Sequence, residues 1–201
     1  MLENFPYIVN VHIIGAEDGV KTLLAANNKL KTYGHVQAVA GMNARISAMY
    51  GLDEGICKTC GLLHDVAAVV KPGDMMAYAV KNNWYLDEAE RRHPFILHQR
   101  VSKRIAEEDF GITDLRVLSA VECHTTLKAE PSAYDMALFV ADKLAWDLEG
   151  APPFLDTVEG ALGRSLAAAA YAYMDYIVKH KMILYPHKWF EDGMEYLAAS
   201  V

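Results

Sequence analysis

The stretch EGICKTCGLLHDVAAV, residues 54–69, decides how the chain folds. Ile56, Cys60 and Leu63 recur at intervals of three and four, so one face of a helix is apolar there. Asp53 stands just ahead of it, where a side-chain acceptor caps a helix start. The apolar face leads straight into His64 and Asp65. Burying an ionised carboxylate costs several kcal/mol or more unless it is paired or bound to a metal. Polar residues at that place in a core stripe therefore need a chemical reason.

The same pattern recurs outward in both directions. The stripe Val39, Met42, Ile46 and Met49, continued one turn back, lands on His35. Val101 and Ile105 share a face with His98, Val117 and Val121 with His124, and Leu138 and Ala145 with Asp142. Helices are expected over residues 17–29, 35–50, 54–69, 73–83, 86–92, 95–109, 114–125, 133–148, 157–179 and 187–199. Thr113 and the pair Asp156 and Glu159 read as starts, and Pro186 sits where a last helix begins. Gly51, Gly111 and Gly150 read as stops. Strand-like alternation is nearly absent, and only Tyr7 to Ile14 stays ambiguous. The expected fold class is all-α, a compact helical bundle.

At 201 residues the chain suits one domain. Residues 1–30 read as an N-terminal extension and 31–201 as the bundle. The net charge of −7 argues against a nucleic-acid polymer as partner, which would need basic surface to neutralise phosphates. It allows a nucleotide, because a metal supplies positive charge locally. There is no basic stretch followed by an apolar run at the N-terminus and no apolar run of about 18 residues. The expectation is a cytoplasmic protein without a membrane span. Cys57 and Cys60 form a CxxC, but no second pair completes a zinc ribbon, and their helical setting favours packing. Cys123 reads the same way.

Four histidines and two aspartates arriving together from five segments are hard to explain as isolated core residues. No Lys or Arg occupies these stripes to pair with Asp65 or Asp142. Imidazole with carboxylate is the ligand set of zinc, iron, manganese and cobalt. Neighbouring residues on a helix diverge by about 100°. His64 and Asp65 therefore either meet one ion at a bundle centre, or Asp65 lies between two. The second arrangement divides the set into His35, His64, Asp65 and Asp142 for one metal and Asp65, His98 and His124 for the other.

The order His35, His64-Asp65, His98, His124, Asp142 resembles the HD superfamily of metal-dependent phosphohydrolases. The strings Tyr33-Gly34-His35, Gly61-Leu62-Leu63-His64-Asp65, Leu97-His98, Glu107 to Ile112, His124-Thr125-Thr126 and Ala141-Asp142 are similar to its symmetrical bis(5′-nucleosyl)-tetraphosphatase group, over roughly residues 30–197. The resemblance implies a two-iron centre. It also implies cleavage of diadenosine tetraphosphate into two ADP by a hydroxide activated between the metals, with His64 and Asp65 as the catalytic pair. Four departures stand out. Thr32 replaces a family Arg, Ala68 a family Lys, Gln99-Arg100 a Gly-Pro, and Lys143 to Asp147 an Ile-Glu-Pro-x-Arg stretch. Arg100 or Lys143 is the expected compensation, and Thr125 and Thr126 either cap a helix end or touch a phosphate chain. The alternatives within enzymes are a phosphohydrolase for another nucleotide or phosphate ester and, more distantly, a di-iron oxygenase. The competing class is a nucleotide-binding regulator that keeps its metals. His12, His93, His180 and His187 are not expected as ligands. The aromatic group Trp146, Phe154, Tyr171, Tyr173 and Tyr176 reads as core or as the face of a homodimer.

Overall fold

A computed structural model of the chain describes residues 1–146 and 149–201. Among them are eleven α-helices and three short 3-10 turns, with no strand. The helices are α1 (Ala16–Ala26), α2 (Leu30–Tyr50), α3 (Glu54–Leu63), α4 (Pro72–Lys81), α5 (Glu88–Arg92), α6 (His98–Glu108), α7 (Leu115–Cys123), α8 (Ala133–Leu144), α9 (Leu155–Leu162), α10 (Leu166–Lys179) and α11 (Lys188–Ala198). The stretch Tyr7 to Ile14 forms no regular element. The end expected for the 133–148 helix falls partly outside the described residues.

The long α2 is the spine. It packs on α3 and α8, while α7 fills the space between α3, α6 and α8. The side chains between them, among them Val39, Ile46, Leu63, Ile105, Val121 and Leu138, are fully buried. Burial of this kind is worth about 1.5–3 kcal/mol per large aliphatic side chain, and it fixes the helix ends that meet at the centre. Gly61 makes the α2–α3 contact unusually close. A Cβ there would lie 2.5 Å from the Cα of Ala40 and 2.6 Å from its nitrogen, so only glycine fits without moving backbone. Residues 1–30 lie against the bundle: Met1, Leu2, Phe5 and Ile8 are buried, and α1 packs on α2 and α3.

Capping explains where the structure departs from the sequence pattern. Asp53 caps α3 as expected, accepting from the Ile56 amide at 2.9 Å. The start of α7 is capped by Asp114, one residue past Thr113. The helix expected over 157–179 is two helices. Gly163 ends α9, and the Ser165 hydroxyl accepts from the Ala168 amide to open α10. Asp156 and Glu159 form no capping box, which occurs instead at Asp87 with Glu90 and at Ser132 with Asp135. The helix expected over 54–69 stops at Leu63, and the chain turns through His64 and Asp65 into a 3-10 turn, Val66–Val69.

Candidate metal centre

That early stop changes how His64 and Asp65 are presented. His64 is the residue after α3, and Asp65 leaves helical geometry at φ −111°, ψ 19°. His124 likewise follows the last residue of α7, and His98 opens α6. Only His35 and Asp142 lie inside helices, α2 and α8. The expected cluster thus assembles mainly from helix ends rather than from stripes along helices, which frees neighbouring side chains to converge.

Helix ends also orient the rings. The last carbonyls of a helix lack amide partners. His64 Nδ1 donates to the Gly61 carbonyl at 2.7 Å, and His124 Nδ1 to the Val121 carbonyl at 2.9 Å. His98 does the same to the Phe95 carbonyl at 2.6 Å, with the Phe95 ring stacked on it. A carbonyl can only accept, so each Nδ1 carries a proton and Nε2 is the nitrogen turned inward, free to offer its lone pair whenever the ring is neutral. This is the tautomer that ligates a metal.

The inward atoms converge on two carboxylates. His98 Nε2 lies 3.3 Å and His124 Nε2 3.6 Å from Asp65 Oδ1, and the two nitrogens are 3.0 Å apart. On the other side His35 Nε2 lies 3.1 Å and His64 Nε2 3.5 Å from Asp142 Oδ1, while His64 Nε2 is 3.7 Å from Asp65 Oδ2. Ligands about 2.0–2.2 Å from a common ion stand about 3 Å from one another, so these separations suit divalent ions. Two subsets, His35 with His64 and Asp142, and His64 with Asp65 and His124, each place their ligand atoms within 4.8 Å of one another. His98 joins the second by its contacts to Asp65 and His124. Buried His64 Nε2 has no hydrogen-bond partner, and neither has His35 Nδ1. Orphaned buried nitrogens are rare in native proteins and mark a place that another group fills.

The electrostatics agree. Burial works against charge on every group here. Even so, Asp65 beside His64, His124 and His98, and Asp142 beside Lys143 and His35, are held well below the usual carboxylate range. For His64, burial opposes the charged form, but Asp65 and Asp142 outweigh it and raise the ring to about 9. For His124, burial and the neighbouring His64 and His98 lower it to about 4. Two carboxylates thus draw positive charge into a pocket that has no room for several imidazolium ions.

The expected substrate contacts divide. Thr125 Oγ1 lies 3.2 Å from His98 Nε2, at the edge of the cluster. The buried Thr126 hydroxyl is held in the core, donating to the Leu127 carbonyl and accepting from Gln99. Lys143 does not reach outward. Its ammonium donates to Asp142 Oδ2 at 2.5 Å and to the His124 carbonyl at 3.3 Å. This corrects the reading that no cation meets Asp142, because the residue next along the helix folds back onto it. Arg100 points away from the centre. It binds buried Glu90 at 3.0 and 3.1 Å and lies over the Trp84 ring. Gln99 is a residue the sequence did not single out as useful. Its side-chain oxygen accepts from the Thr125 and Thr126 amides, at 3.1 and 3.3 Å, and so braces the turn that carries His124. The signal was an amide side chain adjoining His98 on the buried face of α6.

An all-helical bundle with imidazole and carboxylate groups gathered at its centre is the class of protein that fold and site define. The chain belongs to the HD domain family, whose description matches residues 32–147. It is 39% identical over 129 residues to an uncharacterized protein in the pepC 5′ region of Lactococcus lactis subsp. cremoris. It is 29% identical over 113 residues to the symmetrical bis(5′-nucleosyl)-tetraphosphatase of Staphylococcus aureus. These matches take in 64% and 56% of this chain and 66% and 57% of those relatives, so they span less than two thirds of the curated proteins. A crystal structure from Clostridium acetobutylicum, described as that of a predicted HD superfamily hydrolase involved in NAD metabolism, superposes with a TM-score of 0.79. That match has 22% identity and covers 92% of this chain and 97% of the other, a likeness of fold. No described helix is long and apolar enough to cross a membrane.

Proposed function

We propose that this protein is a two-metal phosphohydrolase acting on a nucleotide, and that its substrate is diadenosine tetraphosphate, cut symmetrically into two ADP. One observation carries the reading. Four imidazole Nε2 atoms and two carboxylates converge, with three of the rings locked in the ligating tautomer from behind. His35, His64, Asp65 and Asp142 would hold one ion and Asp65, His98 and His124 the other, with iron the first choice and manganese, cobalt or zinc compatible with the same donors. Such a pair of ions supplies activated water at neutral pH and takes up charge on phosphate oxygens.

The chain's own residues do the rest. Asp65 would serve both sets, with Oδ1 toward His98 and His124 and Oδ2 toward His64. Lys143 neutralises part of Asp142 and ties α8 to the His124 turn. Thr125 offers a hydroxyl beside His98, in position to donate to a phosphate oxygen. We place residues 1–30 as an extension lying against this bundle, and the enzyme in the cytoplasm, where nucleotides are abundant. The relative from Staphylococcus aureus carries this activity in its description and supports the choice of substrate.

The test is product analysis by anion exchange. Protein loaded anaerobically with Fe²⁺, and separately with Mn²⁺, is given diadenosine tetraphosphate, with Asp65→Ala as the blank. ADP as sole product is the expected result. Turnover that survives in Asp65→Ala would sink the two-metal mechanism. Metal-loaded protein without turnover would shift the substrate to another nucleotide, and a nicotinamide nucleotide would be the next one tried, given the fold relative's description.

A further inference from the structure

The cluster opens on a cavity of about 580 Å³ whose wall includes Asp65. Thr32 and Ala68, the two positions where a cation was expected and is missing, line that same cavity. So do two lysines, each one helical turn farther along: Lys29, three residues before Thr32, and Lys71, three residues after Ala68. Both are helix N-caps, of α2 and α4, and neither helix has a side-chain cap on its first turn. Both lysines thus stand at a helix start, the end of a helix that attracts anions, although α4 opens with Pro72, which has no amide N–H, and carries Asp74 in its first turn. Lys29 makes no ion pair among the described residues. Lys71 rests against the Tyr7 ring at 4.3 Å, a contact that holds the ammonium in place and leaves its charge. Of the six polar residues at the centre, the cavity wall includes Asp65.

The cavity on the other flank is different. It has about 370 Å³, touches the cluster at Thr125, and is walled by Tyr173, Ile177, Tyr185 and Phe190. An apolar, aromatic wall suits a nucleobase, whereas paired lysines over uncapped helix starts suit phosphate.

We infer that Lys29 and Lys71 form a polyphosphate-binding subsite beside the metal centre, taking over by a one-turn displacement the charges absent at Thr32 and Ala68. The inference rests on the phosphohydrolase reading above for its biological meaning, but binding alone tests it. The subsite holds the phosphate run that extends past the scissile bond, and it orients the substrate with its phosphates over Asp65. Arg100 and Lys143 are already engaged with Glu90 and Asp142, so they are not the compensating cations.

The experiment is calorimetric binding of inorganic tripolyphosphate to full-length, metal-loaded protein, with wild type compared with Lys29→Gln/Lys71→Gln. Both side chains are exposed, so the double variant should fold and keep its metals, which metal analysis checks in the same samples. Two charge-assisted contacts should weaken binding about tenfold or more, and flatten its dependence on salt. Adding Thr32→Arg to the double variant should restore part of the loss. Wild type that fails to bind tripolyphosphate, or a double variant within twofold of wild type, overturns the subsite. Wild type that binds it through the lysines yet hydrolyses no nucleotide keeps the subsite and overturns the function. Wild type that hydrolyses diadenosine tetraphosphate with the same KM as the double variant keeps the function and overturns the subsite.

Discussion

Two clusters of buried charge lie within one bundle, and they are built to opposite ends. At the first, Glu90 is fully buried and is met from every side. Arg100 binds both its oxygens, His187 Nε2 stands 3.7 Å away, and the carboxylate also accepts from the Asp87 amide. His187 in turn caps α11 through Nδ1. Every polar atom there has a partner and the charges cancel, so the cluster is a clasp that ties the start of α11 to α5 and α6. At the second, the imidazoles are satisfied only from behind. Their inward nitrogens face carboxylates or one another, and His64 Nε2, between Asp142 and Asp65, makes no hydrogen bond. Both contain histidine, carboxylate and one basic side chain, so residue type alone does not separate them. What separates them is whether the hydrogen-bonding closes within the protein or leaves lone pairs directed at one point.

The sharpest way to break that contrast is to make the matching change in each cluster. Asp65→Asn keeps volume and removes the charge that, in the reading proposed above, serves both ligand sets. Turnover should fall by more than about a hundredfold, beyond the 10–100-fold typical of partners behind the ligands, and bound metal should drop. Elemental analysis and initial rates on the same preparation check this. Full metal content with normal rates would make this cluster another clasp.

Glu90→Gln should do the reverse. Metal content and KM stay at wild-type values, while folding stability falls by about 3 kcal/mol, because Arg100 and His187 lose the carboxylate they enclose. The pH dependence has a definite sign. Glu90 is buried, which alone would raise it, but His187, the Asp87 amide and Arg100 hold it below its ordinary value of 4.5. A depressed carboxylate contributes stability that is complete above that value and is lost as pH falls through the folded one. The gap between wild type and variant should thus be flat above about pH 5 and close on the acid side. Urea unfolding across that range measures it, and a gap that widens in acid would assign the stabilisation to another group.

How much of this was visible in the chain depended on the range of the interaction. The six polar residues at the centre were legible because each interrupts or ends an apolar stripe, and helical spacing is a local property. The all-helical class followed from the same periodicity. The turn at His64 was not legible, because Val66, Ala67 and Val69 continue a helical apolar pattern; it is packing, with Gly61 pressed on Ala40 of α2, that brings the end of α3 to this place. The division of α9 from α10 was missed although Gly163-Arg164-Ser165 carries a stop and a cap, since the alanine-rich run that follows outweighed them. Lys143 and Arg100 were read by charge alone. Their true partners, Asp142 beside one and Glu90 ten residues before the other, depend on rotamers and on a tertiary contact that no spacing shows.

The smallest expected effect concerns a third buried group, Cys57 and Cys60, which has the spacing of a metal or redox pair and should be neither. Both thiols are free and fully buried on α3. Burial pushes Cys57 up to about 11 and Cys60 well above its ordinary value, so no thiolate forms at neutral pH to ligate or react. Asp53 near Cys57, and Asp135 and Asp114 near Cys60, add to the push of burial, in contrast to the imidazoles around Asp65. Replacing each by alanine removes one small core side chain at about 1 kcal/mol apiece. Metal per chain should stay the same in Cys57→Ala/Cys60→Ala, and the native protein should resist iodoacetamide until it is unfolded. If the double variant instead lost an equivalent of metal, spacing would have outweighed burial, and the rule that separates the two charged clusters would fail for sulfur.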